Sequence, residues 1–298
     1  MTRPPQASRR SCLAGLALFA CVACGAGDAG SAVPTLYFAA IPDQNRTELE
    51  SKFRLVAEYL ERELDVAVEY VPTTSYAASV EAFVNGDVHL AWFGGVTGVQ
   101  ARRRVGGARA IAQGKVDPEY KSYFIANVDS GLDPSEAFPM DLAGRTFTFG
   151  SPDSTSGRVM PEFFIRQNGG KAPAEFFATR PNAYSGAHDK TAKLVEAGTY
   201  DAGALSYKKY DSMVASGKLD PERCVRVWTT PTYPDYNWTI RPDVDALFES
   251  GFTERVQAAL VACQDPDVLR ALDRPEGLIP AADGDFEAIA ETMQAVGL

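Results

Sequence analysis

Residues 151–157 read SPDSTSG, with four hydroxyls and one carboxylate in seven positions. An apolar run, RTFTFG, leads into the stretch, and a segment of helical character, RVMPEFFIRQNGG, leaves it. A strand end, a turn and a helix start place it at the carboxyl end of a strand, where open α/β sheets collect ligands. The first turn of a helix also carries free N–H groups and the positive end of a dipole. With the hydroxyls of Ser154, Thr155 and Ser156 added, the stretch can surround an oxyanion with neutral donors. The plainer reading is a helix N-cap with spare hydroxyls.

Catalytic chemistry finds less material. There are two histidines, and His89 lies in an apolar run, VHLAWFGG, where it reads as packed. No G-x-S-x-G, H-E-x-x-H or G-x-x-x-x-G-K-[ST] occurs. GAGDAG satisfies a dinucleotide fingerprint in spelling only, because no strand precedes it and no helix follows. Ser154, His188 and Asp201 could form a scattered triad. Three hydroxyls at a helix start nevertheless suit ligand donation better than a lone nucleophile. Metal ligands are not clustered, and pairs such as Asp43 with Glu48 read as caps and solvated charge. Neither a metal nor a cofactor is expected.

The elements that must hold the hydroxyls alternate regularly. TLYFAAIP reads as a strand. Residues 47–64 then set Leu49, Phe53, Val56, Leu60 and Leu64 on one helical stripe. VAVEYVP is a strand. Residues 75–85 form a helix, with Ser75 as N-cap and Gly86 just past the end. VHLAWFGG, TGVQARRRV and ARAIAQGK continue as strand, helix and strand. After SYFIANVDS a second α/β series runs through TFTFG, the hydroxyl-rich helix start, EFFATR, HDKTAKLVEAG, YDAGALS, KKYDSMVASG and VRVWTTP. A last strand, WTIR, precedes four helical segments. This pattern predicts two α/β domains with mostly parallel sheets. The helical tail is expected to return to the first sheet, with chain crossings near Asn127 and Tyr233 forming a hinge. The boundaries follow as 35–126 with 234–298 for lobe 1, and 127–233 for lobe 2.

The chain has 298 residues, 45% hydrophobic and 23% charged, with a formal charge of −10. That suffices for two cores. An acidic surface argues against nucleic acid and anionic membranes as partners. The first residues carry Arg3, Arg9 and Arg10, then an apolar run too short to span a bilayer, which together read as an export signal over 1–23. Cys24, after Val22 and Ala23 and before Gly25, resembles a lipoprotein cleavage site and is the expected lipid anchor. Cys21 and cleavage near Ala32 are the alternatives. Residues 24–34 are a small-residue linker. Without residues 1–23, 26 basic and 39 acidic residues remain, a charge of −13. Cys224 and Cys263 are either a disulfide or two buried thiols.

The order of FAAIPDQN, LAWFGGVTGVQARRRV, SPDSTSG, GAHDKTAKLVEAGTYDAGAL and TTPTYPDYNWTIR resembles the phosphate/phosphite/phosphonate-binding family of ABC-importer solute-binding proteins, over almost the whole mature chain. It is also similar to a branch labelled as selenate binders. The resemblance implies a bilobal type II periplasmic-binding-protein fold. It also implies capture of a small tetrahedral oxyanion by hinge closure, and delivery to a permease and its ATPase. A monomer on the periplasmic side of a bacterial envelope is expected.

Residue by residue, the resemblance implies a phenolic hydrogen bond from Tyr76 and a floor made by Phe93 and Gly94. Tyr123 would reach in from the crossover strand. Ser154, Thr155 and Ser156 would clamp the anion. His188 would point at a ligand oxygen, its plainer reading being a helix N-terminal residue. Asp201 would accept a hydrogen bond from a protonated ligand or an amine, which favours phosphorus oxyanions over selenate. Tyr207 and Tyr236 would line the wall. A ligand-sensing receptor subunit, or an enzyme on the same scaffold, are the competing functions.

Overall fold

The computed structural model describes Met1 and residues 34–298; the expected signal, Cys24 and the linker up to residue 33 lie outside the described residues. Among the described residues, eleven strands fall into two sheets. In chain order they are β1 (Leu36–Ala40), β2 (Val68–Tyr70), β3 (Leu90–Phe93), β4 (Arg109–Gly114), β5 (Ser122–Asn127), β6 (Phe147–Phe149), β7 (Ala183–Tyr184), β8 (Ala202–Ser206), β9 (Cys224–Thr229), β10 (Asn237–Ile240) and β11 (Leu278–Pro280). The helices are α1 (Arg46–Leu64), α2 (Tyr76–Asn85), α3 (Gly95–Arg104), α4 (Met160–Gly169), α5 (Pro173–Phe176), α6 (His188–Glu196), α7 (Tyr207–Ala215), α8 (Val244–Leu247), α9 (Phe252–Ala262), α10 (Pro266–Ala271) and α11 (Glu287–Val296).

One sheet has the order β11-β4-β10-β3-β1-β2 and the other β7-β6-β8-β5-β9. Pairs β1–β2, β1–β3, β6–β7 and β6–β8 are parallel. The strands that follow each passage between sheets, β5 and β10, run against both their neighbours. The sheets are therefore mixed.

The first passage corrects the expected boundary. β5 pairs with β8 and β9 along its length. Residues 122–126 thus belong to the five-stranded sheet, and the chain crosses before Ser122 rather than at Asn127. An apolar strand is spelled alike in either sheet, and pairing decides its place. The two passages, 115–121 and 230–236, are tied by a reciprocal bridge. Tyr120 N–H donates to Tyr233 O and Tyr233 N–H to Tyr120 O, both at 2.9 Å.

Local chemistry explains the helices near the cleft. Asn45 Oδ1 accepts the Glu48 N–H and starts α1, whose buried stripe includes Leu49, Phe53, Val56, Leu60 and Leu64. Ser75 Oγ accepts the Ala78 N–H and starts α2, and Gly86, at φ 85°, ends it. The tail helix α9 packs on α1, where the Tyr59 hydroxyl donates to Ala259 O at 2.7 Å. EFFATR is not a strand. Pro173 opens the short α5, and Phe177 stacks on Phe147 at 4.1 Å instead. Cys224 and Cys263 are both buried free thiols among the described residues.

Helix α6 lies close on β8 at Gly203. A Cβ there would stand 2.9 Å from Thr191 Cγ2, 3.0 Å from Thr148 O and 3.2 Å from Val195 Cγ2. Gly203→Ala is expected to lower stability by about 1–3 kcal/mol through overpacking. Urea unfolding measures it, and wild-type stability would mean that α6 has slack against the sheet.

Candidate functional site

The edges of both sheets converge. The carboxyl ends of β1, β3, β6 and β8 meet the amino ends of the two antiparallel strands, β5 and β10. SPDSTSG leaves β6 at this edge. Its helix opens wide, because Val159 and Met160 donate to carbonyls five residues back, Ser154 O and Thr155 O. Pro161 accounts for this π-type turn. It has no N–H to give Gly157 O and crowds it. Gly157 O accepts the Gly150 N–H instead, at 2.8 Å.

The hydroxyls are buried and oriented. Ser154, Thr155 and Ser156 are each at most 2% exposed. Ser154 Oγ accepts the Gly157 N–H at 3.0 Å, and Thr155 Oγ1 accepts the Val96 N–H, from the other half, at 3.0 Å. Each oxygen is thus used as an acceptor, and its own proton is left to donate. Ser154 is an N-cap and a donor at once.

Three buried polar atoms around this cluster have no hydrogen-bond partner among the described residues: Tyr76 Oη, His188 Nε2 and Asp235 Oδ2. Tyr76 opens α2 and its hydroxyl lies by Ser154. His188 opens α6. Its N–H donates to Asp43 O at 3.0 Å, and its Nδ1 accepts the Ser206 N–H at 3.3 Å. That contact puts the ring proton on Nε2. Burial pushes the imidazole pKa down to about 4, so the ring is a neutral donor at pH 7. Asp235 Oδ1 accepts the Gly95 N–H at 2.9 Å, and the carboxyl lies by Thr155 and Ser156. Burial pushes its pKa up to about 7, against the pull of those hydrogen bonds.

The surroundings seal the cluster. At Gly94 a Cβ would stand 3.1 Å from Thr155 Oγ1, 3.2 Å from Asp235 Oδ1 and 3.5 Å from Ile41 Cδ1, so a side chain there would push into the cluster. Tyr236 stacks on Trp92 and its hydroxyl donates to Asp43 Oδ2 at 2.8 Å. An adjoining cavity of about 20 Å³, lined by Asp43, Ser206, Lys209, Tyr236 and Arg274, has room for about one water. The two halves are shut on each other. Gln100 donates to Asp153 at 3.1 Å. Lys208 pairs with Glu276 at 3.0 Å, Lys209 with Asp273 at 3.4 Å and with Gln44, and Lys218 with Glu48 at 2.6 Å.

This arrangement is a buried cluster of neutral donors around the Asp235 carboxyl, set between two α/β halves. Residues 38–286 match the family described as ABC transporter, phosphonate, periplasmic substrate-binding protein. The chain belongs to that family. A "probable ABC transporter phosphite binding protein" of Prochlorococcus marinus is 38% identical over 224 residues, 74% of this chain and 75% of that protein. A solved structure of PhnD1 from the same organism in complex with methylphosphonate matches with a TM-score of 0.83 at 34% identity, over 88% of this chain and 98% of that one. The phosphate-import protein PhnD of Mycolicibacterium smegmatis is 27% identical over 285 residues, 88% of this chain and 86% of that protein. The chain is thus a periplasmic solute-binding protein of an ABC importer, with the bilobal type II fold, and not an enzyme.

In this binding protein, Tyr76, Gly94, Ser154, Thr155, Ser156, His188 and Tyr236 come together, and four expected residues do not. Asp201 stands before β8, where its Oδ2 accepts both the N–H and the hydroxyl of Thr146 at 2.8 Å. The far end of β8, Ser206, is the one that meets His188, so Asp201 is roughly 15 Å from the cluster. The triad of Ser154, His188 and Asp201 is not assembled. Tyr123 faces away, because strand residues alternate and its neighbour Ser122 takes the cleft side, donating to Ser156 O at 2.7 Å. Its ring packs by Tyr207 and Tyr210, and Arg226 donates to its hydroxyl at 3.3 Å. Tyr207 packs edge-on against Tyr120 at 4.9 Å, behind the cluster. Phe93 turns its ring into the core against Phe83.

Asp235 takes the place expected for Asp201. No periodicity marks it in TYPDYNW, although it adjoins Tyr236 in the second passage. The amides of Gly95 and Val96, at the start of α3, join the site with no side-chain signal of their own.

The raised Asp235 pKa has a stability signature. The folded value, about 7, lies above the unfolded one, so its contribution to stability is lost as pH rises from about 4 through 7. Asp235→Asn is expected to stabilise the ligand-free protein at pH 8 by on the order of a few kcal/mol, the gain fading toward pH 4. Thermal unfolding across this range measures it. An offset independent of pH would mean that the carboxyl ionises as in water.

Proposed function

We propose that this binding protein captures a small phosphorus oxyanion that shares one proton with Asp235, phosphite or methylphosphonate before phosphate. The observation that carries the reading is the buried Asp235 Oδ2 without a partner, ringed by neutral donors. A carboxylate accepts and cannot donate. It therefore suits a ligand oxygen that brings a proton with it, held between the two oxygens. Phosphite, phosphonates and phosphate hold a proton near neutral pH, and sulfate and selenate do not.

The remaining oxygens face Ser154, Thr155, Ser156, Tyr76 and the His188 Nε2–H. The Ile41 methyl beside Gly94 supplies an apolar contact. It suits a P–H or P–CH₃ group, whereas a fourth oxygen there would lack a partner. The relatives' named ligands, phosphite, methylphosphonate and phosphate, are consistent with this class. Closure about the two passages buries the ligand, and the shut form docks on a permease driven by its ATPase. The protein works as a monomer held at the membrane by a lipid on Cys24.

Calorimetry of the full chain with phosphite, methylphosphonate, 2-aminoethylphosphonate, phosphate, selenate and sulfate tests the ligand class. Phosphite or methylphosphonate is expected to bind most tightly, with sulfate and selenate silent. Affinity is expected to fall as pH rises above about 8, where Asp235 and the ligand have both lost their protons. Tight sulfate binding, or a flat profile to pH 10, would sink the shared-proton reading.

Ser154→Ala with Ser156→Ala should weaken the best ligand by about 1.5–3 kcal/mol per hydroxyl, as expected for hydrogen bonds to a charged group. Unchanged affinity in that double variant would remove the clamp.

A further inference from the structure

We infer that Arg274 is a positioning residue for recognition, holding Asp235 and Tyr236 in place without touching the ligand. This rests on the ligand reading given above. Arg274 follows α10 and is 2% exposed. Its Nε donates to Asp117 Oδ1 at 2.9 Å and Oδ2 at 2.8 Å, and its Nη2 lies 2.6 Å from Oδ1. Nη1 donates to the carbonyls of Leu272 and Asp273. The guanidinium carbon stands 4.8 Å from the ring centre of Tyr236, 5.4 Å from that of Tyr120 and 5.5 Å from that of Trp92. Three aromatic faces thus enclose one cation.

The contacts run to both passages between the sheets. Asp117 lies in the first, where its Oδ2 accepts the Gly114 N–H at 2.7 Å. Its main-chain oxygen accepts the Asp235 N–H of the second passage at 3.1 Å. Tyr236 is the next residue, and its hydroxyl reaches Asp43, whose carbonyl holds the His188 N–H. One guanidinium therefore fixes the backbone of Asp235 through Asp117, and the ring of Tyr236 directly. The approach is close enough that a Cβ at Gly114 would clash with Arg274 Cδ. A buried ion pair adds little stability over well-packed neutral groups. Its planar fork and fixed direction are what a lysine or an apolar residue lacks.

The test compares the full-length wild type with Arg274→Lys and with the double variant Asp117→Asn/Arg274→Met. Hydrogen exchange of the Asp235 and Gly95 amides is read without ligand. Methylphosphonate association and dissociation are read by stopped flow. In the double variant, thermal stability should stay near wild type, while both amides exchange faster and methylphosphonate leaves roughly tenfold faster at an unchanged association rate. Wild-type amide exchange in a folded double variant overturns the proposal. If that variant does not fold, Arg274→Lys decides, with faster exchange expected and wild-type behaviour overturning it. If the wild type binds none of the phosphorus ligands, the ligand reading fails, and the amide exchange still decides the role of Arg274.

Discussion

A carboxyl group buried with one oxygen unpartnered is costly, and at Asp235 the cost is contained by everything around it. Gly95 offers its N–H, Thr155 and Ser156 lie alongside, and the backbone is pinned through Asp117. Remove water from such a cluster and any anion admitted must satisfy the donors and the acid together. The fold answers that demand with geometry rather than with positive charge. Helix starts, hydroxyls and a neutral imidazole supply the donors, while the buried cations nearby, Lys209 and Arg274, are engaged by Asp273 and Asp117.

Bringing these groups together needs strand direction. Parallel strands alone would deliver helix starts from each half. The antiparallel β5 and β10 add their amino ends to the same edge, which is how Ser122 and Asp235 arrive beside the helix starts that follow β6 and β3. Close backbone approach does the rest. Gly94 and Gly157 stand where a side chain would push the hydroxyls, the acid or the imidazole apart, and at Gly150 one would press on the Gly157 backbone. The π-type turn shaped by Pro161 is part of the same fit, because it lends Gly157 O to Gly150.

Much of this was legible locally. Ser75 before Tyr76, the hydroxyl run after TFTFG and His188 at the head of an amphipathic stretch are each a helix start following a strand. Asp235 was not, because a Pro-flanked passage has no periodicity and its contact with Gly95 spans 140 residues. Asp201 shows the converse. An acid beside a strand is spelled alike at either end, and only strand direction tells which end reaches the cleft. Tyr123 depended on which face of β5 meets the cleft, and the boundary at Asn127 on which sheet adopts that strand. Both are settled by pairing between distant segments.

The lysines at and beyond α7 add a further dimension. Lys208, Lys209 and Lys218 find Glu276, Asp273 and Glu48 on the opposite half. Parting the halves would expose those charges, so the two forms differ in surface potential as well as in shape. The outer pairs are screened by dissolved ions, whereas the Lys209 side chain, 7% exposed, is screened least. Salinity therefore acts on the grip itself: the same chain holds its halves together more firmly in fresh water than in brine.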